Sequence, residues 1–241
     1  MKDRIYARAE GPPEPFRFDD RVARVFPDMI KRSVPGYESI LESIGQFTRR
    51  FAQDGTRCYD LGCSLGASTL AIRHNLLAKD ASIVAVDNSP AMVERCRRVM
   101  DGDPSLAPVE VRRENIQDTP LGNASVVVLN FTLQFVAPQD RPELLGRIRS
   151  ALVPGGVLIL SEKIGFSDPE EQQMITDLHV DFKRRNGYSD LEIAQKRQAL
   201  ENVLVPWTAQ EHRDALAEAG FGFVTQWYGW FQFVSFLAQR R

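Results

Sequence analysis

Apolar residues recur along the chain with two periods, and the alternation of the two outlines the fold. After a proline-rich lead, Tyr37, Ile40, Leu41, Ile44, Phe47 and Phe51 follow at three- and four-residue intervals, which predicts an amphipathic helix. Short apolar runs come next: "RCYDLG" at 57–62, "SIVAVD" at 82–87, a third near Val109–Val111, "SVVVLNF" at 125–131 and "VLILSEK" at 157–163. These read as strands, and the fourth is apolar enough to be buried on both faces. Helices are expected between them, from about Ala67 to Leu77, from Ser89 onward, and over Pro142–Leu152 before "PGG". Ser89-Pro90 is a start signal, a hydroxyl cap followed by a proline in the first turn, and Met92, Val93, Cys96 and Val99 are the expected inward positions. Strand and helix alternate from residue 56 to 163, which predicts an α/β, Rossmann-like, mostly parallel doubly wound sheet.

The alternation breaks after Lys163. Residues 168–205 read as two helices with no strand between them; the second opens on a capping box, Ser189 with Glu192. Thr208 and Glu211 repeat the signature for a further helix that stops at Gly220. Two aromatic-rich strand candidates, "FGFVTQWY" and "WFQFVSFLAQ", are separated by Gly229 and would add an antiparallel C-terminal hairpin. The expected organisation is one domain over 1–241, with an N-terminal helical segment (1–52), a core (56–163 and 206–241) and a helical insertion or lid (164–205).

Composition narrows the function classes. With 241 residues and a net charge of −2, the chain has no global field to draw it to nucleic acid or membrane. No apolar run of about 18 residues suggests a membrane span, and the first residues lack a secretory core. Cys58, Cys63 and Cys96 form no C-x-x-C pair and read as reduced thiols of a cytoplasmic protein. His74, His179 and His212 are scattered, so no metal site is expected.

The chemistry centres on "YDLGCSLGAST" at 59–69. Gly62-Cys63-Ser64-Leu65-Gly66 fits G-x-S-x-G, the nucleophile turn of an α/β-hydrolase. That reading needs earlier strands to supply an oxyanion hole, and the segment before Tyr59 reads helical instead. The alternative is a ligand-binding loop after a first strand: Asp60 ends the strand, Gly62 permits the turn, Gly66 lets the next helix approach, and Asp87 ends the second strand where ribose hydroxyls bind. The missing middle glycine weakens a dinucleotide, so an adenosyl ligand without phosphates, S-adenosyl-L-methionine, fits better than NAD. An ordinary glycine turn is the bland alternative.

Beyond this loop, "RSVPGYESI", "VDNSPAMVERCRR", "LNFTLQFV", "LSEK", "FKRRNGYSDLEIAQKRQALENV" and "WFQF" together resemble the carboxy-S-adenosyl-L-methionine synthase family, over residues 18 to the C-terminus. The resemblance implies a class I S-adenosylmethionine-dependent methyltransferase fold and a reaction other than methyl transfer. S-adenosyl-L-methionine and prephenate would give carboxy-S-adenosyl-L-methionine and phenylpyruvate, a carbanion beside the sulfonium capturing the carbon dioxide released. The product would serve a partner tRNA carboxymethyltransferase acting on wobble uridine. A homodimer is also implied. By the same resemblance the cofactor contacts fall on Tyr37, Gly62, Cys63, Ser64, Asp87, Asn88, Asn115, Ile116, Asn130 and Arg197, with Arg197 and Tyr37 as catalytic residues. Asn115 departs from the aspartate common in the family, and a neutral oxygen is the weaker acceptor toward adenine. Read as one stripe, Ile193, Arg197, Leu200 and Leu204 place a guanidinium on an apolar face; the residues alone favour snorkelling to solvent or pairing with Glu201, whereas the resemblance implies a bound carboxylate. Lys183, Arg184 and Arg185 read either as a guide for anionic prephenate or as a solvated face, and His179 as structural. The alternative functions are a methyltransferase of a small molecule or RNA, and an idle adenosyl-binding scaffold.

Overall fold

The computed structural model describes residues 1–7 and 13–241, so Pro12 of the proline-rich lead lies outside the described residues. Seven strands form one sheet in the order β3-β2-β1-β4-β5-β7-β6. Strands β1 (Arg57–Leu61), β2 (Ser82–Asp87), β3 (Val109–Arg113), β4 (Ala124–Asn130) and β5 (Leu152–Lys163) run parallel, and β6 (Phe223–Trp230) and β7 (Phe233–Gln239) close it as an antiparallel hairpin.

Side chains alternate across the sheet, so each central strand feeds two cores. Val126 and Val128 of β4 face α2 (Tyr37–Phe51) and α3 (Ala67–Arg73), where they meet Ile40, Ile44 and Ile72. Val127 and Leu129 face α5 (Arg141–Ala151) and α8 (Ala209–Glu218), meeting Leu144, Ile148 and Leu216. Helix α4 (Pro90–Gly102) covers the β2–β3 edge and opens as its sequence predicts, with Met92 N donating to Ser89 Oγ at 3.2 Å and Pro90 in the first turn. Its inward residues are Met92, Val93, Cys96 and Met100, while Val99 points outward, because 92, 96 and 100 hold one face at four-residue spacing. Helix α3 ends at Arg73 rather than near Leu77; Asn75 turns its amide back onto the Ala71 carbonyl, and Leu77 is exposed.

Helices α6 (Pro169–Arg185) and α7 (Asp190–Leu200) stand between β5 and α8, and the capping boxes at Ser189/Glu192 and Thr208/Glu211 are both formed. Two differences from the sequence reading stand out. The first lies within the helical segment expected over 1–52, where no separate helix was delimited: α1 (Asp20–Ser33), which runs through Pro27. Asp19 caps it by accepting from Val22 N at 2.9 Å, and its apolar face packs with Phe16, Met92 and Ala199. That burial outweighs the roughly 3 kcal/mol an internal proline costs a helix. The second is the turn of the hairpin, which falls at Phe231-Gln232 and leaves Gly229 within β6, paired with Val234. Tertiary contacts fix that turn: Ile164 N donates to the Gln232 carbonyl, and the Gln232 amide meets His179 Nδ1 at 2.7 Å.

Candidate active site

A cavity of about 280 Å³ opens beyond the carboxyl ends of β1 and β4, where the strand order reverses. In open α/β sheets ligands gather at such a switch point. The loop after β1 forms one wall. Gly62 (φ +90°) lies against Thr132, and any Cβ there would collide with the Thr132 side chain. Gly66 (φ +89°) lets α3 come close to α4; its Cβ would stand 2.8 Å from Met100 Cε and 3.0 Å from Cys96 Sγ. Ser64 also takes a positive φ, +49°, which turns its N–H onto Asp87 Oδ2 at 2.9 Å. The other Asp87 oxygen accepts from Ser89 N at 2.9 Å, so this carboxylate ties the loop to the start of α4. Ser64 Oγ donates to Met92 Sδ at 3.5 Å. The three histidines are engaged elsewhere: His74 with Asp103, His179 with Ser33 and Gln232, and His212 among aromatic rings. Ser64 therefore has no base and is a turn residue, not a nucleophile.

Buried acceptors test whether S-adenosyl-L-methionine suits this site. Asp60 Oδ2 accepts from Thr69 Oγ1 at 2.6 Å, and its Oδ1 is buried without a partner among the described residues. Burial, with a smaller push from Asp87, raises the Asp60 carboxyl to about 7. Asn130 ends β4 and donates to Ser68 Oγ at 3.0 Å, and its Oδ1 is likewise buried without a partner. Unsatisfied buried acceptors are costly, and an amino-acid ammonium is a donor that would satisfy Asn130, which lines the cavity; Asp60 is not part of that lining. Tyr37 lines the cavity with its ring 6.4 Å from that of Phe131; burial and then Asp60 hold its hydroxyl protonated. At the far end Asn88 Nδ2 donates to Asn115 Oδ1 at 3.2 Å, and Asn115 Nδ2 donates to Asp118 at 3.0 Å. These two amides, with buried Ile116, line the cavity beyond β2 and β3. Cys63 is buried and also lines it. The residues therefore fit an adenosyl ligand carrying an ammonium group, with the nucleoside toward β2 and β3.

The opposite end is cationic. Lys163 at the end of β5, Lys183 on α6 and Lys196 on α7 all line the cavity. Burial first, then the neighbouring cations, pushes Lys183 down to about 7. Burial lowers Lys196 to about 8, with Asp3 opposing, and Lys163 falls through burial and Arg197. Of the run 183–185, Lys183 turns inward, Arg184 pairs with Asp181 and Asp190 on the surface, and Arg185 is exposed. His179 donates or accepts at both ring nitrogens, with the Ser33 carbonyl at 2.8 Å and the Gln232 amide at 2.7 Å, and burial beside Lys183 pushes it to about 3. It is a neutral structural residue.

Arg197 is the one candidate that does not line the cavity: it is exposed on α7, and the inward positions are Ile193, Lys196 and Ala199. The apolar stripe drawn through Leu204 fails because α7 ends at Leu200, and Asn202 at φ +60° turns the chain. The arginine nevertheless stands close enough to depress Lys163 and Lys183. Lys163 and Lys196 are absent from the residues that sequence reasoning singled out. Their signal is a cation directly after a buried strand, and a lysine three positions from Ile193 on one helical face.

Residues 58–156 match a methyltransferase domain family. Among curated relatives, the carboxy-S-adenosyl-L-methionine synthase of Stutzerimonas stutzeri is 55% identical, covering 98% of this chain and 97% of its own length. That of Marinobacter nauticus is 57% identical, over 99% of this chain and 95% of its own. Solved structures share the fold at lower identity. A putative S-adenosyl-L-methionine-dependent methyltransferase from Methanococcus maripaludis aligns with a TM-score of 0.60 at 20% identity, covering 94% of this chain and 95% of its own. Human N-acetylserotonin methyltransferase in complex with SAM aligns at 0.62 and 17%, over 92% of this chain and 55% of its own. The sheet order and the helices on both faces are those of class I S-adenosylmethionine-dependent methyltransferases. With more than half of its residues identical to these relatives over nearly their whole length, the chain belongs to the carboxy-S-adenosyl-L-methionine synthase family.

Proposed function

We propose that the protein makes carboxy-S-adenosyl-L-methionine from S-adenosyl-L-methionine and prephenate, releasing phenylpyruvate and water. The observation that carries this, beyond family membership, is the polarity of one cavity: an unpartnered acceptor at Asn130 and three lysines, Lys163, Lys183 and Lys196, in its lining. Bound S-adenosyl-L-methionine would supply an acidified methyl group, and prephenate the carbon dioxide it captures. Asn130 would hold the ammonium, and Asp87 the ribose hydroxyls. Asn88, Asn115 and Ile116 would border the adenine, with Gly62, Cys63 and Ser64 forming the floor beneath it. Tyr37 and Phe131 would keep water from the methyl group, which matters because water would quench a carbanion. His179, the histidine in the cavity lining, has both ring nitrogens engaged, which suits removal of the methyl proton by the hydroxide that prephenate loses.

Arg197 is exposed on α7, near Lys163 and Lys183, and we assign it the new carboxylate of the product. Arg197→Leu should abolish carboxylated product and weaken the product's affinity more than that of S-adenosyl-L-methionine. The decisive experiment incubates the protein with S-adenosyl-L-methionine and prephenate and reads the masses. A nucleoside heavier by one carbon dioxide, together with phenylpyruvate, supports the assignment; a methylated acceptor with prephenate untouched overturns it.

Two wider assignments rest on the same reading. The product would feed a tRNA carboxymethyltransferase in the cytoplasm. Among the described residues no helix is long and apolar enough to cross a membrane. The chain would also act as a homodimer, supported by exposed Met174, Leu178 and Trp230 on α6 and the hairpin, with Phe182 packed beside Trp230 at 6.2 Å between rings.

A further inference from the structure

We infer that Lys163, Lys183 and Lys196 together form the subsite for the two carboxylates of the anionic co-substrate, an inference that rests on the proposed synthase reaction. The three come from separate elements, the end of β5, α6 and α7, yet share one end of one cavity. A lysine that merely lays its stem along the surface sends its ammonium to water. These three are instead drawn inward, and Lys196 is only 8% exposed. Gathering cations in a low-dielectric site is unfavourable without an anion. Among the described residues no carboxylate offsets the charge of Lys163 or Lys183; what they face is each other, Lys196 and Arg197. Lys196 differs, since its Nζ donates to Ser33 Oγ at 3.0 Å and Asp3 lies near enough to favour its charge. It is held in place, while the other two ammonium groups are left to meet a ligand. Two unpartnered cations beside a third that is anchored match a small dianion better than a monoanion. Lys163 on β5 lies across the switch point from Asn88 and Asn115 beyond β2 and β3, so the co-substrate carboxylates and the nucleoside take different ends of the cavity.

The test is titration of prephenate, by calorimetry, into protein saturated with S-adenosylhomocysteine, which lacks the reacting methyl group. It is paired with the KM for prephenate in the full reaction. Lys163→Gln and Lys183→Gln should each weaken prephenate binding about tenfold or more, the scale of a lost charged hydrogen bond. Affinity for S-adenosyl-L-methionine should change by less than about twofold, and Lys183→Arg should restore most of the loss where Lys183→Gln does not. Far-UV circular dichroism checks that each variant folds. Unchanged prephenate affinity in both Gln variants overturns the subsite, as does an equal loss for both ligands. If the wild type binds prephenate and the variants do not, yet no carboxylated nucleoside forms, the subsite stands and the synthase reading falls.

Discussion

At Gly62 the chain makes a choice that only one residue type tolerates. Its φ of +90° disfavours any Cβ, and Thr132 occupies the space one would need. Gly62→Ala should therefore displace the loop and lower affinity for S-adenosyl-L-methionine, read by calorimetry. Adding Thr132→Ala should recover part of that loss but not the backbone strain, roughly 1–2 kcal/mol. His212 offers a test of stability. It is buried between Trp207 and Phe236 with neither ring nitrogen partnered among the described residues, and burial pushes it to about 4. A histidine depressed in the folded state is protonated first in the unfolded chain, so its cost appears as pH falls from 6.5 toward 4. The full difference is of the order of 3 kcal/mol. His212→Leu should raise Tm relative to wild type more at pH 5 than at pH 8, measured by thermal melts.

Among the elements, α7 shows how a one-residue shift in register changes a site. An apolar stripe drawn through Leu204 sets Arg197 on the inner face, whereas packing buries Ile193, Lys196 and Ala199. The capping box at Ser189 was legible because it is local; at the other end Asn202, at φ +60°, is the left-handed stop residue, and the apolar spacing through Leu204 masked it. The hairpin repeats the lesson: Gly229 is the obvious turn residue, yet bonds from Gln232 to Ile164 and His179 place the turn two residues on. Gln232→Leu should remove one of those ties and leave His179 Nδ1 buried without its donor. The expected result is a loss of about 1–3 kcal/mol in denaturant unfolding.

For the whole molecule, the cationic end sets a pH signature on ligand binding. Lys183 at about 7 and Lys196 at about 8 are partly neutral near pH 8, and an anion favours their charged forms. Prephenate binding at pH 8 should therefore take up protons, seen as a binding enthalpy that varies with buffer ionisation heat. Lys183→Gln should reduce that uptake. At the same scale, the exposed apolar residues on α6 and the hairpin make a dimer the expected solution state. Light scattering should give twice the chain mass, and Trp230→Asp should shift the protein toward the monomer.

The alternation of apolar runs determined the parallel sheet and the glycine loop, because a buried strand and a tight turn are written in adjacent residues. Cap signatures placed the starts of α4, α7 and α8 for the same reason. Only the tertiary structure decided that α1 would run through Pro27, since burial across distant segments outweighs a local penalty. It alone brought Lys163, Lys183 and Lys196 to one wall from positions spread over more than thirty residues. No local pattern records that meeting, because it is made by the packing of α6 and α7 against the carboxyl end of the sheet.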